Sequence, residues 1–425
     1  MNASLSDYPG EALRAIATEL FAELRRSSFD GIGVTREPFG PAETAAQELV
    51  AHVAAREGLA VERDRVRNLV VTLPGEDAGK PFMATGSHLD SVPRGGNYDG
   101  AAGVVAGLLA LIGLRRLGLR PPRTVTLLAL RGEESAWFGK SWIGSHALFG
   151  LLTEADLARP RFDNDRPLGA YLTDVGADVR AIARGERLLD PRAVRAFLEV
   201  HIEQGPVLEA RNLPLGVVTG IYGNLRHMAV SCRGAAAHAG ATPRELRRDA
   251  VVAVADYVMR LDRQWARWLD SGKRLVITHG ILGTDPGEHA VSRVPGAVRF
   301  SVEIRADNLE TLTGFHELAQ NEAQTLARER GVTFVFDEPI VHRPAPMDAG
   351  WMDQLERLCR KTGVGCMRLP SGAGHDAAVF AQVGIPTAML FIRNPHGSHN
   401  PDEDMGMDDF LAATRVLTEA LLFPG

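Results

Sequence analysis

The chain has 425 residues, of which 45% are hydrophobic and 24% charged, with room for two or three domains. This composition excludes fibrous and disordered proteins, and three cysteines cannot build a disulfide framework. A net charge of −6 without a basic stripe predicts no nucleic-acid partner, and no apolar run is long enough to predict a membrane span. The first ten residues, MNASLSDYPG, do not resemble a signal peptide, so we expect a cytoplasmic protein.

The first half of the chain alternates between helix-like and strand-like segments. Such alternation indicates parallel strands covered by helices, with a ligand site beyond the carboxyl ends of the strands. The predicted elements are helices over 10–26, 42–57 and 100–117, and buried strands over 81–87 and 124–130.

From about residue 214 the pattern changes to that of a small α+β unit, and from about residue 330 the first pattern resumes. We therefore predict an α/β catalytic domain of residues 1–213 and 330–425, interrupted by an inserted domain of residues 214–329. The predicted inserted elements are strands over 215–221, 226–232, 275–281 and 298–305, with helices over 245–266 and 309–329. The predicted elements after them are strands over 332–337 and 386–392, a helix over 350–361, and a final helix.

The first cluster of polar residues follows the strand over 81–87. His88 and Asp90 are two apart on an extended segment and so point the same way, and Asp99 comes at the start of the next helix. One histidine and two carboxylates at a sheet edge suit a divalent metal ion. The alternative is a capped helix with an ordinary loop histidine.

Three more strand ends carry comparable residues. Glu133 and Glu134 directly follow a buried strand, where adjacent carboxylates repel each other unless one binds a metal and the other acts as a base. The alternative is two solvated loop glutamates. His201 ends an apolar strand, with Gln204 after it, and His399 follows the strand over 386–392. Since strand ends of this fold share one edge, we expect these residues to form one site.

Seven stretches carry a further signal when they are taken together and in order. They are GVTREPFGPAE (33–43), GSHLDSVPRGGNYDGAAGVVAGL (86–108), EESAWFGKSWIGSHAL (133–148), VHIEQGPVLE (200–209), GAAAHAGATP (234–243), SGAGHDA (371–377) and GSHNPDE (397–403). Together they resemble the hydantoinase/carbamoylase branch of the dinuclear zinc aminoacylase/carboxypeptidase metallopeptidase superfamily. The HIEQGP stretch distinguishes this branch, because general exopeptidases of the superfamily usually have a carboxylate in place of the histidine.

The resemblance implies a zinc-exopeptidase-like mixed sheet covered by helices, with an inserted α+β lid and dimerisation domain. It also implies two divalent metal ions per subunit, zinc first, with manganese, cobalt or nickel as alternatives. His88, Asp99 and His201 would bind one ion. Asp99, Glu134 and His399 would bind the other, so that Asp99 bridges the two.

The same resemblance assigns three catalytic roles. Asp90 would orient His88, and Glu133 would be the general base that takes a proton from the attacking water and passes it to the leaving amine. His238 would stabilise the oxyanion from the neighbouring subunit of a homodimer formed through the inserted domain. The alternative for His238, which lies among small residues, is a solvated side chain.

Arg305 would pair with a substrate carboxylate, and Gln204 and Arg226 would hydrogen-bond the substrate. The alternative for Arg305 is a surface charge at a strand edge. Two departures from the family pattern fall in this substrate pocket. Ser292 stands where family members commonly have asparagine, and the loop before His399 is about one residue shorter than the common form.

These residues predict a metal-dependent amidohydrolase that cleaves a linear C–N bond of a small carboxylate substrate. The leading substrate is an N-carbamoyl-L-amino acid, which would give the amino acid, CO2 and ammonia. Alternatives are allantoate or ureidoglycolate, and an N-acyl-amino acid or dipeptide. An alternative of another class is a small-molecule binding protein without catalysis, against which the complete set of ligand residues argues.

Overall fold

The structure, a computed structural model, describes residues 8–423. Its strands are β1 (Ala60–Arg63), β2 (Leu69–Leu73), β3 (Phe82–His88), β4 (Val125–Leu130), β5 (Val194–Ile202), β6 (Leu215–Ile221), β7 (Gly223–Arg233), β8 (Ala237–His238), β9 (Leu275–Thr278), β10 (Leu282–Gly283), β11 (Arg293–Val294), β12 (Ala297–Ala306), β13 (Thr333–Val335), β14 (Ile340–His342), β15 (Ala345–Pro346), β16 (Cys366–Ser371) and β17 (Thr387–Ile392).

The helices are named in chain order in the same way. They are α1 (Gly10–Ser28), α2 (Pro41–Arg56), α3 (Ala101–Arg116), α4 (Ile143–Leu148), α5 (Glu154–Leu157), α6 (Leu168–Asp174), α7 (Val179–Ala183), α8 (Val207–Arg211), α9 (Ala250–Asp270), α10 (Leu309–Arg330), α11 (Ala349–Thr362), α12 (Asp376–Gln382) and α13 (Met407–Leu421). Within residues 8–423, none of them has the combination of length and apolar character that a membrane span requires.

The larger sheet has nine strands among the described residues, in the order β1-β2-β4-β3-β5-β17-β6-β15, with β16 paired to β6. Its centre is parallel, and β4 and β17 are buried at every position, as expected when helices cover both faces. Phe197 of β5 stacks on Phe380 of α12, whereas its neighbours Ala196 and Leu198 join the core that includes α3 and α13. The predicted α/β fold is confirmed.

A second compact unit comprises Gly220–Pro346. Its main sheet, as far as the structure describes it, has the order β10-β12-β7-β13, with β9 on β12 and β14 on β7. Helices α9 and α10 share one apolar core with this sheet, to which β12 contributes alternate residues such as Val302 and Ile304. The residues between them, Glu303 and Arg305, therefore lie on the opposite face of the sheet.

Two strand assignments made from the sequence are wrong. Residues 215–221 were expected in the inserted domain, but β6 pairs with β17 in the larger sheet. Residues 332–337 were expected to rejoin the catalytic domain, but β13 pairs with β7. An apolar pattern predicts that a strand is buried without specifying its partner strand. The second unit accordingly begins at residue 220 and ends at residue 346, instead of the predicted 214 and 329.

Candidate metal centre

Two histidines and one aspartate converge at the carboxyl ends of the parallel strands. His88 is the last residue of β3, His201 is the second-last residue of β5, and Asp99 precedes α3. Asp99 Oδ1 lies 3.3 Å from His201 Nε2 and 3.6 Å from His88 Nε2. Ligand atoms of these three residues all lie within 4.8 Å of one another, which is a spacing that one metal ion can bridge.

Asp99 is shared with a second group that contains Glu134 and His399. His399 Nε2 lies 3.3 Å from Asp99 Oδ2 and 3.3 Å from Glu134 Oε1. The two oxygens of Asp99 thus face different groups, as a bridging carboxylate must. Of all five side chains, only that of His399 is substantially exposed, at 50%.

Hydrogen bonds to backbone carbonyls fix the tautomers of the two buried histidines. His201 Nδ1 lies 2.9 Å from the carbonyl oxygen of Ile202, and His88 Nδ1 lies 3.1 Å from that of Asp90. Because a carbonyl only accepts, each Nδ1 must carry the hydrogen. In the neutral ring each Nε2 then presents its lone pair to Asp99, which is the arrangement that a metal-binding histidine needs.

Gly100 allows these ligands to approach so closely. Its φ is +66°, in the left-handed region, and a Cβ at this position would lie 2.5 Å from the His88 ring. Its N–H points at His201 Nε2, at 3.1 Å. A side chain here would displace His88, so glycine is required both by the turn and by the packing.

Glu133 and Asp90 lie beside the two groups. Glu133 Oε1 accepts a 2.8 Å hydrogen bond from Trp142 Nε1, and its Oε2 lies 3.9 Å from His88 Nε2. Asp90 Oδ1 lies 3.4 Å from His88 Nδ1, and the Asp90 carboxylate also accepts hydrogen bonds of 3.0 Å from the N–H groups of Glu133 and Glu134. Asp90 therefore contacts both the first histidine and the loop that carries the two glutamates.

The electrostatics favour a bound cation. Burial raises the pKa of Glu133 well above its ordinary value, and the Glu134 charge adds to this. Hydrogen bonds to Asp99 and Glu134 raise the pKa of His399 to about 11. Within residues 8–423, the ion-pair partners of these three carboxylates are histidines and include no lysine or arginine. A nitrogen and oxygen donor set with excess negative charge fits divalent transition metals.

Gln204 and Ser398 complete the surroundings of Asp99. Gln204, which has a φ of +61°, donates through Nε2 to Asp99 Oδ2 at 2.7 Å, while its buried Oε1 has no hydrogen-bond partner in the described part of the chain. Ser398 Oγ lies 2.5 Å from the same Asp99 oxygen and 2.5 Å from Glu403 Oε2, and its single hydrogen can be donated to one of them at a time. The predicted substrate contact Gln204 thus lies against the Asp99 carboxylate.

A third group of possible ligands was missed from the sequence. Glu199, His201 and His375 have ligand atoms within 4.8 Å of one another, and all three are buried. Glu199 accepts hydrogen bonds from Ser87 Oγ and from a backbone N–H of α12. The signal was present for Glu199, because it lies two residues before His201 on the same strand face. No spacing rule points to Trp142, which holds Glu133 from a loop.

His238 and Ser292 lie next to each other in the second unit. Strand β8 pairs with β11, which places His238 opposite Arg293, and the Ser292 carbonyl accepts a 2.7 Å hydrogen bond from Ala239. His238 is exposed, and its Nδ1 accepts hydrogen bonds from the N–H groups of Gly240 and Ala241. The neutral ring then carries its hydrogen on Nε2, which is free to donate to an oxyanion.

Arg226 and Arg305 are brought together by Glu303. Arg226 Nε donates to Glu303 Oε1 at 2.5 Å, and Arg305 Nη2 lies 3.0 Å from the same oxygen. The two arginine side chains are 34% and 28% exposed. Two guanidinium groups around one carboxylate leave positive charge on this face of the sheet.

The chain matches known proteins over nearly its whole length. The model of peptidase family M20/M25/M40 matches residues 84–422. An N-carbamoyl-L-amino-acid amidohydrolase of Paenarthrobacter aurescens is 32% identical over 409 residues, covering 94% of this chain and 95% of the relative. An allantoate amidohydrolase of Escherichia coli is 32% identical over 387 residues, covering 91% of each.

A solved hydantoinase/carbamoylase family amidase from Burkholderia multivorans has a TM-score of 0.87 and 28% identity, covering 98% of this chain and 97% of its own. These matches confirm the predicted resemblance to the hydantoinase/carbamoylase branch and the prediction of an enzyme of the amidohydrolase class. The chain therefore belongs to peptidase family M20/M25/M40.

Proposed function

We propose that the chain hydrolyses an N-carbamoyl-L-amino acid to the amino acid, CO2 and ammonia with two divalent metal ions. The observation that carries this proposal is the pair of ligand groups that meet at Asp99, with Glu133 beside them. His88, Asp99 and His201 would hold one ion, and Asp99, Glu134 and His399 the other. We propose zinc as the metal; manganese, cobalt and nickel suit the same donors.

Each residue of the centre has a distinct role in this proposal. When bound, the two ions would polarise the substrate carbonyl and lower the pKa of water. Glu133, held through Oε1 by Trp142, takes the proton from the attacking water at Oε2 and delivers it to the leaving amine. Asp90 keeps the Glu133 loop in register with His88 through its hydrogen bonds to both.

Residues of the second unit recognise the substrate. His238 donates from Nε2 to the developing oxyanion, and Arg305 binds the substrate carboxylate through its planar fork. Arg226, together with Gln204 of the larger unit, supplies further hydrogen bonds. Ser292 offers a shorter side chain and fewer hydrogen bonds than the asparagine common in the family, so it sets which substrate group fits beside His238.

Apolar side chains exposed on the second unit support a homodimer formed through it. Val252 and Met259 of α9 are 45% and 51% exposed, and Leu282 is 58% exposed on β10, an edge strand. Edge strands and apolar patches of this kind are common at protein interfaces. In the dimer, His238 would serve the site of the partner subunit. The cytoplasmic location remains a prediction.

A second candidate is allantoate amidohydrolase, because relatives of both activities share 32% identity with this chain. The test is an ammonia-release assay of the metal-loaded protein on carbamoyl amino acids, allantoate, ureidoglycolate, N-acyl amino acids and dipeptides, the last two also followed by release of the free amino acid. We expect the highest kcat/KM on a carbamoyl amino acid. Faster turnover of allantoate would favour the second candidate, and no turnover of any substrate would favour a binding protein.

A further inference from the structure

The stretch GVTREPFGPAE contains two buried charged residues that the metal centre does not use. Arg36 and Glu43 are both fully buried. Burying a charged group costs several kcal/mol unless its hydrogen bonds are replaced, so the partners of such a group indicate its role. Both residues have their partners in the loops that carry the proposed metal ligands.

Arg36 holds both ends of the loop over residues 89–97. Its Nε donates to the Leu89 carbonyl at 2.6 Å, and its Nη1 and Nη2 contact the side-chain and backbone oxygens of Asn97 at 3.3 and 3.4 Å. Its backbone N–H donates to Ser91 Oγ, and the Ser91 N–H donates to its carbonyl. Leu89 directly follows the first ligand of the centre, and Asn97 lies two residues before the bridging one.

Glu43 holds the turn that leads into the two glutamates. Its Oε2 accepts 2.6 Å hydrogen bonds from the Phe39 N–H and from Arg131 Nε, and its Oε1 accepts one of 3.0 Å from the Gly132 N–H. Gly132 has a φ of +67°, and a Cβ there would lie 2.6 Å from the Phe39 ring. The stretch therefore fixes the backbone at the residue before Glu133.

The two loops meet at Asp90. This residue follows Leu89, which Arg36 holds, and its carboxylate accepts the N–H groups of Glu133 and Glu134. Arg36 and Glu43 thus hold the two loops that are connected through Asp90. All four side-chain hydrogen bonds of Arg36 go to uncharged oxygens, so its charge is left to act on the carboxylates nearby, Glu403 and Asp90 among them.

We propose that residues 33–43 form a bracket in which Arg36 and Glu43 are positioning residues. They set the spacing between the loop of His88 and Asp99 and the loop of Glu133 and Glu134. This inference rests on the proposed function, because it requires metal ions at those ligands. Misplacement of reacting groups by about 1 Å can cost on the order of 10²-fold in rate. The bracket should therefore affect metal affinity and kcat without contacting the metal or the substrate.

The test uses the full-length protein loaded with cobalt. Glu43→Gln keeps the shape of the side chain. It has only one oxygen, however, in place of the two carboxylate oxygens that together accept three hydrogen bonds. Arg36→Lys keeps the charge but loses the fork. The matched controls are Glu48→Gln, which removes a 2.7 Å ion pair between α2 and β1, and Arg63→Lys, which alters the same pair; neither α2 nor β1 carries a proposed metal ligand.

Each variant is assayed for cobalt affinity by chelator competition, for its cobalt absorption spectrum, and for kcat and KM. We expect cobalt affinity to fall about 10- to 100-fold in Glu43→Gln and Arg36→Lys, which is the usual effect of losing a group that orients metal ligands. We also expect an altered spectrum and a lower kcat with unchanged KM. Both controls should match the wild type.

If the two variants are merely less thermostable, with wild-type cobalt affinity and spectrum, the bracket is contradicted while the metal centre stands. If the wild type binds no cobalt, the proposed function itself fails. Ser91→Ala provides a milder change, because it removes only the hydroxyl that accepts from the Arg36 N–H. Ser91→Ala should change the cobalt spectrum and the cobalt affinity in the same direction as Arg36→Lys. If Arg36→Lys does not fold, wild-type cobalt affinity and spectrum in Ser91→Ala would contradict the bracket.

Discussion

The two compact units present their polar residues in opposite ways. In the larger unit the proposed metal ligands are mostly buried and are oriented by backbone groups, as His201 is by the Ile202 carbonyl. In Gly220–Pro346 the proposed substrate groups are more exposed, and Arg226 and Arg305 share one carboxylate. The comparison teaches that the larger unit orients its proposed metal ligands in advance. The second unit instead presents charged groups and hydrogen-bond donors to a ligand or a second subunit.

Removal of metal should have the largest effect, because it acts directly on the proposed ligands of the larger unit. We expect dipicolinate to abolish turnover and added metal to restore it, because no lysine or arginine of residues 8–423 forms an ion pair with the ligand carboxylates. Far-UV circular dichroism should stay nearly unchanged, since the apolar core of the larger unit does not involve the ligands. Full activity after verified removal of all metal would contradict the mechanism.

Mixing inactive variants tests whether the second unit acts on a partner subunit. His238→Ala and Glu133→Gln proteins should each be inactive, and a heterodimer should contain one intact composite site. After complete exchange of equal amounts, activity should recover to about a quarter of the wild type, since half the dimers each regain one of two sites. No recovery after proven exchange would show that His238 acts within its own chain.

Substitution of Arg305 tests whether this arginine of the second unit binds the substrate carboxylate. Arg305→Ala should lower kcat/KM by about 10- to 100-fold on a carboxylate substrate, as for loss of a hydrogen-bonded charge, and far less on the matched amide. Arg226→Ala, which also contacts Glu303, is the matched control and should change this preference less. If Arg305→Ala keeps the preference for acid over amide, the substrate carboxylate is bound elsewhere.

The smallest expected effect is on the pH dependence of stability without metal. Burial raises the pKa of Asp376 and of Glu403 to about 7. The folded state then binds more protons than the unfolded state between about pH 4 and pH 7, so stability should fall as pH rises through that range. The urea midpoint of metal-free protein should be lower at about pH 8 than at about pH 5. Metal-loaded protein should instead lose stability on acidification, because protons compete with metal for the ligands.

The convergence of the proposed metal ligands was the part of the site that the sequence could predict. Parallel strands in an α/β fold end at one edge, so histidines and carboxylates placed after several strands can be expected to meet. Trp142, Arg36 and Glu43 could not be found in this way. Arg131, the partner of Glu43, is 88 residues away in sequence, so no local pattern pairs these two residues.

The fold, like the site, could be predicted from the sequence only in part. The alternation of strands and helices predicted the class of fold, because it depends on local burial. The sheet to which β6 and β13 belong depends on non-local pairing, and both were assigned to the wrong unit from sequence. Contacts between distant segments thus set both the strand partners and the residues around the ligands.

The most direct test of the central claim is to compare Glu133→Gln with Glu134→Gln for both metal content and turnover. We predict that Glu133→Gln keeps two ions per subunit while turnover falls on the order of 10²-fold or more, as for loss of a general base. Glu134→Gln should lose metal, because its carboxylate is one of three ligands of the second group. Equal metal content and equal turnover in the two variants would contradict the division between a base and a ligand on which the account depends.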